Sequence, residues 1–408
     1  MVNCRGCGAN LYLTFLDLGS SPIANDLVTL ENLNSPEVYY PLHVMTCERC
    51  ALVQLPEVTS RESLFRSDYV YFSSYSSSWL EHSQKYAVKM FEMLNLNERD
   101  LVIEVASNDG YLLQYFNRFG IQVLGIEPSS GVAQVAVTKG VRTLIDFFGA
   151  ALAKELAANQ KPKLMIGNNV LAHVPDIHDF IEGFSLLIAD DGVITFEFPH
   201  LASLIRNNQF DTIYHEHYSY LTIMALLPIF KNHELKIIDV EKLSTHGGSI
   251  RIYVVPALSP RVTSDSVVSV LAEEATLDPR EQLVWESLQT RTLQVKIDLL
   301  NELIKCKKNG LIVSAYGAAA KGNTLLNYLG ADSDLVEYVV DLNPHKQGKY
   351  LPGSRIPIVG IEHLEKYQPD VLLVLPWNLA DEIKSQLTHL ANVNSMKFLR
   401  AVPNLEYF

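Results

Sequence analysis

From Leu101 onward the sequence alternates apolar runs of strand length with stretches of helical period, and this alternation restricts the fold more than any other feature. LVIEVAS (101–107) leads into YLLQYFNRFG, which ends at Gly120, and IQVLGIEP (121–128) leads into SGVAQVAVTKG (130–140). KLMIGNNV, GVITFEF, LKIIDVEKL and SIRIYVVPAL carry the strands on to residue 258. A second series opens with GLIVSAYG (310–317), passes through AAAKGNTLLNYLG and VEYVVDLN, and closes with DVLLVLPWN and ADEIKSQL. Apolar strands separated by helices imply α/β architecture with mostly parallel sheets covered on both faces. Between the two series, residues 256–295 read as a connector that becomes a charged helical stretch.

The first 65 residues are different. They are turn-rich, with short strand-like pieces (LYLTFLDLG, PLHVMTC, ALVQL) and no helical period. Such a block is too small to hold itself by burial alone, and a metal staple makes physical sense there. Cys4-x-x-Cys7 and Cys47-x-x-Cys50 supply one. Each pair presents two thiolates from one turn, and two turns complete the tetrahedral sulfur shell that zinc favours in closed, structural sites. The 39 residues between the pairs (8–46) exceed the usual ribbon spacing, so the loop is expected to fold as a small lobe of its own. Cys306 stands alone on the connector helix and reads as packing. These boundaries give three parts: 1–65, 66–256 and 257–408.

Composition excludes other classes. With 33 basic and 46 acidic residues the net charge is −13, which argues against nucleic acid or an anionic membrane as partner. The apolar runs stop well short of the ~20 residues of a bilayer span. Five cysteines do not make a disulfide framework, so a reduced, cytoplasmic protein is expected, as a monomer or small homo-oligomer.

Three loops carry chemistry. Glu104-Val-Ala-Ser-Asn-Asp-Gly110 follows a strand and precedes a helix, where a doubly wound sheet places its ligand. Ala106, Ser107, Asn108 and Gly110 allow close approach to the backbone, and the helix N-terminus favours a carboxylate or phosphate. Glu127, followed by Pro128, ends the next strand and can accept from both ribose hydroxyls of an adenosine. Ala106 replaces the first glycine of the dinucleotide fingerprint, which disfavours NAD and suits S-adenosylmethionine (SAM). Asn168, Asn169 and His173 follow the next strand and face the same crevice, His173 toward cofactor or substrate; alternatively the asparagines cap a helix.

Tyr214-His215-Glu216-His217-Tyr218 is the second cluster. If extended, it places His215 and His217 on one side and Glu216 on the other. A metal site, an internally bonded structural set and a general base are all open to it, and the density of titratable groups favours a site. Nearby, His246 and Arg251 sit on a polar turn with two glycines (THGGSIR), which could line the same cleft or be an ordinary hairpin. The third loop is Tyr316-Gly-Ala-Ala-Ala-Lys321-Gly-Asn323, again between strand and helix. Its small residues and lysine suit a diphosphate, although the Walker A spacing is absent. Asp341 ends the following strand, and Lys346 and Lys349 add local positive charge.

In combination these motifs resemble the SAM-dependent sugar C-methyltransferases that act on nucleotide-linked 4-keto-deoxyhexoses, usually at C3. The resemblance runs end to end: both CxxC pairs, EVASNDGYLLQ, GIEPS, NNVLAHV, YHEHYSYL, HGGSIR, AYGAAAKG and VVDLNPHKQGKYLPG. It implies an N-terminal Cys4 zinc lobe, a central SAM-binding Rossmann-like domain and a C-terminal Rossmann-like domain that binds the nucleotide sugar. It implies His217 as the base that removes the C3 proton, with Glu216 and Tyr214 orienting it or holding substrate, and His173 as a further site residue. A tyrosine from the segment after the zinc lobe also enters the site, with Tyr69, Tyr71 and Tyr75 as candidates. The loop around Lys321 would cover the diphosphate. A methyltransferase acting on oxygen or nitrogen, or a silent SAM- and nucleotide-binding scaffold, are the competing readings.

Overall fold

Because the runs from Leu101 to Pro199 are apolar and helix-separated, they assemble as a parallel sheet. A computed structural model describes residues 2–64, 72–389 and 396–408. Among these, contacts divide the chain into two units: 1–13, 46–202 and 218–278 in the first, and 14–45, 203–217 and 279–408 in the second.

The first unit is built on a seven-stranded sheet in the spatial order 235–243, 249–256, 193–199, 164–168, 101–105, 122–126 and 143–144. The last five in that order run parallel, and the 235–243 and 249–256 strands close the other edge antiparallel. The chain lays strands first to one side of 101–105 and then to the other. The carboxyl ends of 101–105 and 164–168 therefore flank a topological switch point, where a crevice opens for a ligand. On one face the helix Ser77–Met93 starts at Ser76, whose hydroxyl accepts from Trp79 N at 3.2 Å. It buries Tyr86, Ala87 and Met90 against Leu113, Phe116 and Val102. Short helices at 150–157 and 177–187 cover the sheet as well, the latter capped by Asp176 through the amides of His178 and Asp179.

The second unit carries a six-stranded sheet in the order 358–359, 339–340, 313–316, 371–374, 397–400 and 406–407, parallel except for the final strand. The helix Gln282–Lys308 buries Leu288, Thr292, Val295, Leu299, Leu303 and Cys306, spacings of three and four that make one continuous apolar stripe. Cys306 is thus a core residue.

The loop between the cysteine pairs folds back on itself, with the strand Leu13–Ser21 beside Tyr40–Thr46 and Thr14 Oγ1 2.7 Å from His43 Nε2. Residues 14–45 also pack with the C-terminal α/β region. Val28 and Tyr350 exchange backbone hydrogen bonds, and Arg355 donates to the Glu37 carboxylate at 2.7 Å and to the carbonyls of Leu33 and Ser35. A turn-rich loop leaves many backbone carbonyls without a ladder, and the five donors of one guanidinium satisfy several at once. Residues 203–217 are inserted into this unit in the same way. Thr324 Oγ1 donates to Ile213 O at 3.0 Å, Trp377 Nε1 to Asp211 Oδ2 at 2.7 Å, and Thr292 Oγ1 to Asn208 Oδ1 at 3.1 Å. No helix among the described residues is long and apolar enough to cross a membrane.

Candidate active site

The four N-terminal cysteines come together. Cys4 and Cys50 sulfurs lie 3.5 Å apart, as do Cys7 and Cys47, and all four lie within 4.8 Å of one another. A Zn–S bond of about 2.3 Å places tetrahedral sulfurs about 3.8 Å apart, so the cluster fits zinc with no room for a fifth ligand. A hydrogen bond with Cys50 and another from Gln54 Nε2 at 3.1 Å pull the Cys4 thiol down to about 4 against its burial. A thiolate is the form that ligates zinc.

At the switch point, the loop after 101–105 takes conformations that only small or Asx residues accept readily. Ala106, Asn108 and Gly110 have φ of 56°, 49° and 75°. The loop seats closely: a Cβ on Gly125 of the neighbouring strand would lie 2.4 Å from Ser107 Oγ. Glu127 Oε2 accepts from Asn108 N at 3.0 Å and Oε1 from Ser129 N at 2.9 Å, so the carboxylate braces the loop with lone pairs left over. Burial pushes it up to about 7 despite those amides. Burial also holds Glu104 well above the usual carboxylate range, beside the Tyr111 hydroxyl. Ser107 Oγ and Asn169 Oδ1 are buried without a hydrogen-bond partner, and Glu104 and Asn168 share the single Tyr111 hydroxyl, which leaves acceptor capacity over. Such a concentration of unmatched buried acceptors is costly unless a donor-bearing group occupies the crevice. The amine and ribose hydroxyls of SAM are donors of that kind.

Asn169 Nδ2 lies 3.2 Å from His246 Nε2, so the asparagine pair, His246 and the ligand loop share one side of the sheet. Pro128 follows Glu127 half-buried, and His173 ends a short 3-10 turn behind Asn168 and Asn169. Tyr69 and Tyr71 fall outside the described residues. Tyr75 is exposed, with its ring against Phe72, while Ser73 N donates to Asn108 Oδ1 at 2.9 Å. The serine-rich segment therefore lies on the ligand loop.

Arg251 is engaged internally. Across four adjacent strands, Glu241, Arg251, Glu197 and Asn168 stand in register as one polar row. Arg251 donates to both glutamates, and His82 Nε2 reaches Glu197 at 2.9 Å. Burial works against Glu197's charge, but His82 and Arg251 bring its carboxyl below the usual range. Trp79 stacks on His82 at 5.0 Å and lies 5.2 Å from His246. Glu197, His82 and Trp79 escape sequence reasoning. The available signal was a lone carboxylate inside the apolar run VITFEF and a Trp–His pair three residues apart on one helix face.

The Tyr-His-Glu-His-Tyr segment is a tight turn rather than extended, closed by His217 N donating to Tyr214 O at 2.9 Å. The turn brings the Tyr214 and His217 rings to 4.0 Å. His217 Nδ1 lies 2.7 Å from Thr212 O. A carbonyl can only accept, so Nδ1 carries the proton and Nε2 is the basic atom of the neutral ring. Glu216 is buried and accepts from Asn25 Nδ2 with both oxygens, at 2.8 and 2.9 Å. His215 is buried against Tyr40, its Nε2 3.1 Å from the Tyr40 carbonyl, and burial lowers its pKa. Two of the five, Tyr214 and His217, reach the surface.

In the C-terminal loop, Asp341 Oδ2 accepts from Ala318 N at 2.8 Å and Oδ1 from Asn343 N at 2.8 Å, while Lys346 donates to Ala318 O at 2.8 Å. These two residues fix the loop, and Lys349 lies partly exposed beyond them. Tyr316 is buried, its hydroxyl pushed up to about 12 by burial and by Asp341. Lys321 donates to Asn378 Oδ1 at 2.8 Å and lies over the Trp377 ring. Burial lowers its pKa against the pull of Asp211. Asn323 is fully buried with both amide atoms unpartnered.

Comparison with known proteins gives three domain matches: a zinc-binding domain over residues 4–65, a methyltransferase domain over 80–240, and a C-methyltransferase C-terminal domain over 244–403. The C-methyltransferase NovU of Streptomyces niveus is 36% identical over 381 residues, 93% of this chain and 90% of that one. Among solved structures, magnesium protoporphyrin IX methyltransferase from Synechocystis PCC 6803 with bound SAM matches at 14% identity and a TM-score of 0.36, covering 50% of this chain and all of that one. A SAM-dependent methyltransferase from Anabaena variabilis matches at 12% identity and a TM-score of 0.37, covering 50% and 99%.

Proposed function

The chain belongs to the SAM-dependent C-methyltransferases that carry an N-terminal zinc-binding domain, and from that premise we propose that its acceptor is a nucleotide-linked 4-keto-deoxyhexose, methylated at C3 through an enolate. The observation that carries the reading is the Nδ1–Thr212 O bond, which leaves Nε2 as the basic atom of His217. A carbon beside a ketone is acidic because its charge spreads onto oxygen. An imidazole in the right tautomer is suited to take that proton. Tyr214, 4.0 Å away, supplies a hydroxyl suited to the developing oxyanion. Glu216, tied to Asn25, holds the turn in shape.

The loop of Ala106–Gly110, with Glu104, Glu127, Asn168 and Asn169, would hold SAM, which when bound supplies an electrophilic methyl to the carbanionic carbon. Lys321 and the amides at the start of the helix Ala320–Leu329 suit the nucleotide diphosphate. Asp341 and Lys346 act by ordering that loop. Arg251 organises the polar row beneath the crevice. We assign the functional parts as 1–65, 66–256 and 257–408.

The test separates proton removal from methyl transfer. In D2O without SAM, the protein is expected to wash deuterium into C3 of a TDP- or GDP-4-keto-6-deoxyhexose. With SAM the sugar gains one CH2. His217→Asn should lose both while SAM still binds. Full exchange in that variant would remove His217 as the base, and no gain across a panel of such sugars would overturn the acceptor.

A further inference from the structure

The zinc knuckle does more than close its own turn. Arg5 lies between the ligands Cys4 and Cys7. Its side chain points out of the knuckle and donates to the carbonyl of Tyr218, to Ser219 Oγ at 3.2 Å and to the carbonyl of Leu55 at 2.8 Å. The guanidinium also lies 5.3 Å from the Tyr218 ring centroid. Tyr218 is the residue covalently after His217, and its ring is fully buried.

Two further links run the same way. Gln54 Nε2 donates to the Cys4 sulfur, while Gln54 Oε1 accepts from Arg5 N at 2.9 Å, so one side chain ties a metal ligand to the arginine backbone. The strand Val53–Gln54, which follows the second cysteine pair, pairs antiparallel with Ser219–Tyr220. The Tyr218 carbonyl thus takes two donors from this region, Arg5 and the Leu55 amide at 3.0 Å, while its own amide donates to Ala172 O at 2.8 Å.

We propose that Arg5 is a positioning residue: the zinc knuckle holds its guanidinium rigid, and the guanidinium fixes the peptide after His217, setting where the imidazole stands. Neither a knuckle without metal nor a lysine can do the same. The first lets the arginine backbone drift, and the second offers one point charge in place of a fork. This rests on the reading of His217 as the base.

The experiment compares full-length, zinc-loaded wild type with Arg5→Met and Arg5→Lys, measuring bound zinc, SAM affinity, amide hydrogen exchange and turnover. Zinc content and SAM affinity are expected to match wild type. Exchange in peptides covering 212–221 should rise about tenfold or more, while peptides covering 101–128 stay unchanged. Turnover should show kcat lowered about 100-fold with KM for the keto sugar nearly constant, the pattern of a misplaced reacting group. Arg5→Lys, which keeps the buried charge, should fall between and serves where Arg5→Met does not fold.

Loss of zinc from a folded Arg5→Met would show that the arginine acts by retaining metal, and unchanged exchange over 212–221 would show that it anchors nothing. Loosened exchange with wild-type kcat would equally overturn the proposal. Exchange and zinc content need no acceptor. A wild-type chain inactive on keto sugars, together with a loosened 212–221 in Arg5→Met, would therefore sink the sugar reading and leave the anchor standing.

Discussion

Ala106 shows how a single residue can hold a conformation its side chain resists. Its φ of 56° is the left-handed region where a Cβ costs about 1–2 kcal/mol. The sequence shows alanine where a dinucleotide fingerprint has its first glycine, and that absence suggests a loop of different course. The backbone nonetheless keeps the glycine-like turn, because Asn108 and Gly110 continue it and Glu127 clamps the Asn108 amide. Ala106→Gly should therefore stabilise the ligand-free protein, by about 1 kcal/mol at most once the entropy of glycine is subtracted. Chemical denaturation reads this directly, and a destabilised variant would contradict the strain. Glu127 makes a pH-dependent case. Its ordinary value is 4.5 and burial raises it to about 7, so the folded chain binds that proton more tightly than the unfolded one. The contribution is complete below the unfolded value and is lost as pH rises through the folded one. Glu127→Gln removes the loss, so its thermal midpoint relative to wild type should climb between about pH 5 and about pH 8. An offset independent of pH would exclude the carboxyl as its source.

Elements were legible in proportion to how fully they bury themselves. The strands at 101–105, 122–126 and 164–168 and the helix at 130–138 lie where apolar run and helical period place them. The helix Asp265–Ala275 falls in the stretch read only as a connector, because its decisive residue looks like a solvated one. Glu274 is 1% exposed. It accepts from the amides of Ile223 and Met224 at 2.7 and 2.8 Å, capping the helix Ile223–Asn232, and from His200 Nε2 at 2.8 Å. No local pattern announces a cap supplied from fifty residues away. Each buried donor left without its acceptor costs about 1–3 kcal/mol, and Glu274→Ala strands three of them, so it should lower the urea midpoint substantially. Its neighbour Glu273, paired with the exposed Lys242, should tolerate alanine within about 1 kcal/mol. Equal effects at the two positions would show that 274 has no special role.

At the scale of the whole molecule, sequence order and packing part company. The second unit is assembled from 14–45, 203–217 and 279–408, three pieces that residues 46–202 and 218–278 interrupt along the chain. The sequence could not show this, because what joins them is single side chains and one isolated backbone pair, Val28 with Tyr350, rather than periodicity. Arg355 collects the carbonyls of the 32–35 turn, Trp377 reaches Asp211, and Thr324 reaches Ile213. Asp211, raised to about 6 by burial against the pull of Lys321, shows how completely the inserted segment is enclosed. A fragment of residues 279–408 keeps the parallel strands but loses every one of these partners. It would uncover the Tyr328 ring, which packs on Phe210, and strip Arg355 and Trp377 of the acceptors on Glu37, Leu33, Ser35 and Asp211. Such a fragment should retain far-ultraviolet helical signal yet melt without a cooperative transition in the near ultraviolet, the behaviour of secondary structure without fixed packing. Adding residues 14–45 and 203–217 as peptides should restore part of the transition. A sharp melt from 279–408 alone would mean that the inserted segments decorate a finished domain, and that the turn bearing His217 is fixed from elsewhere.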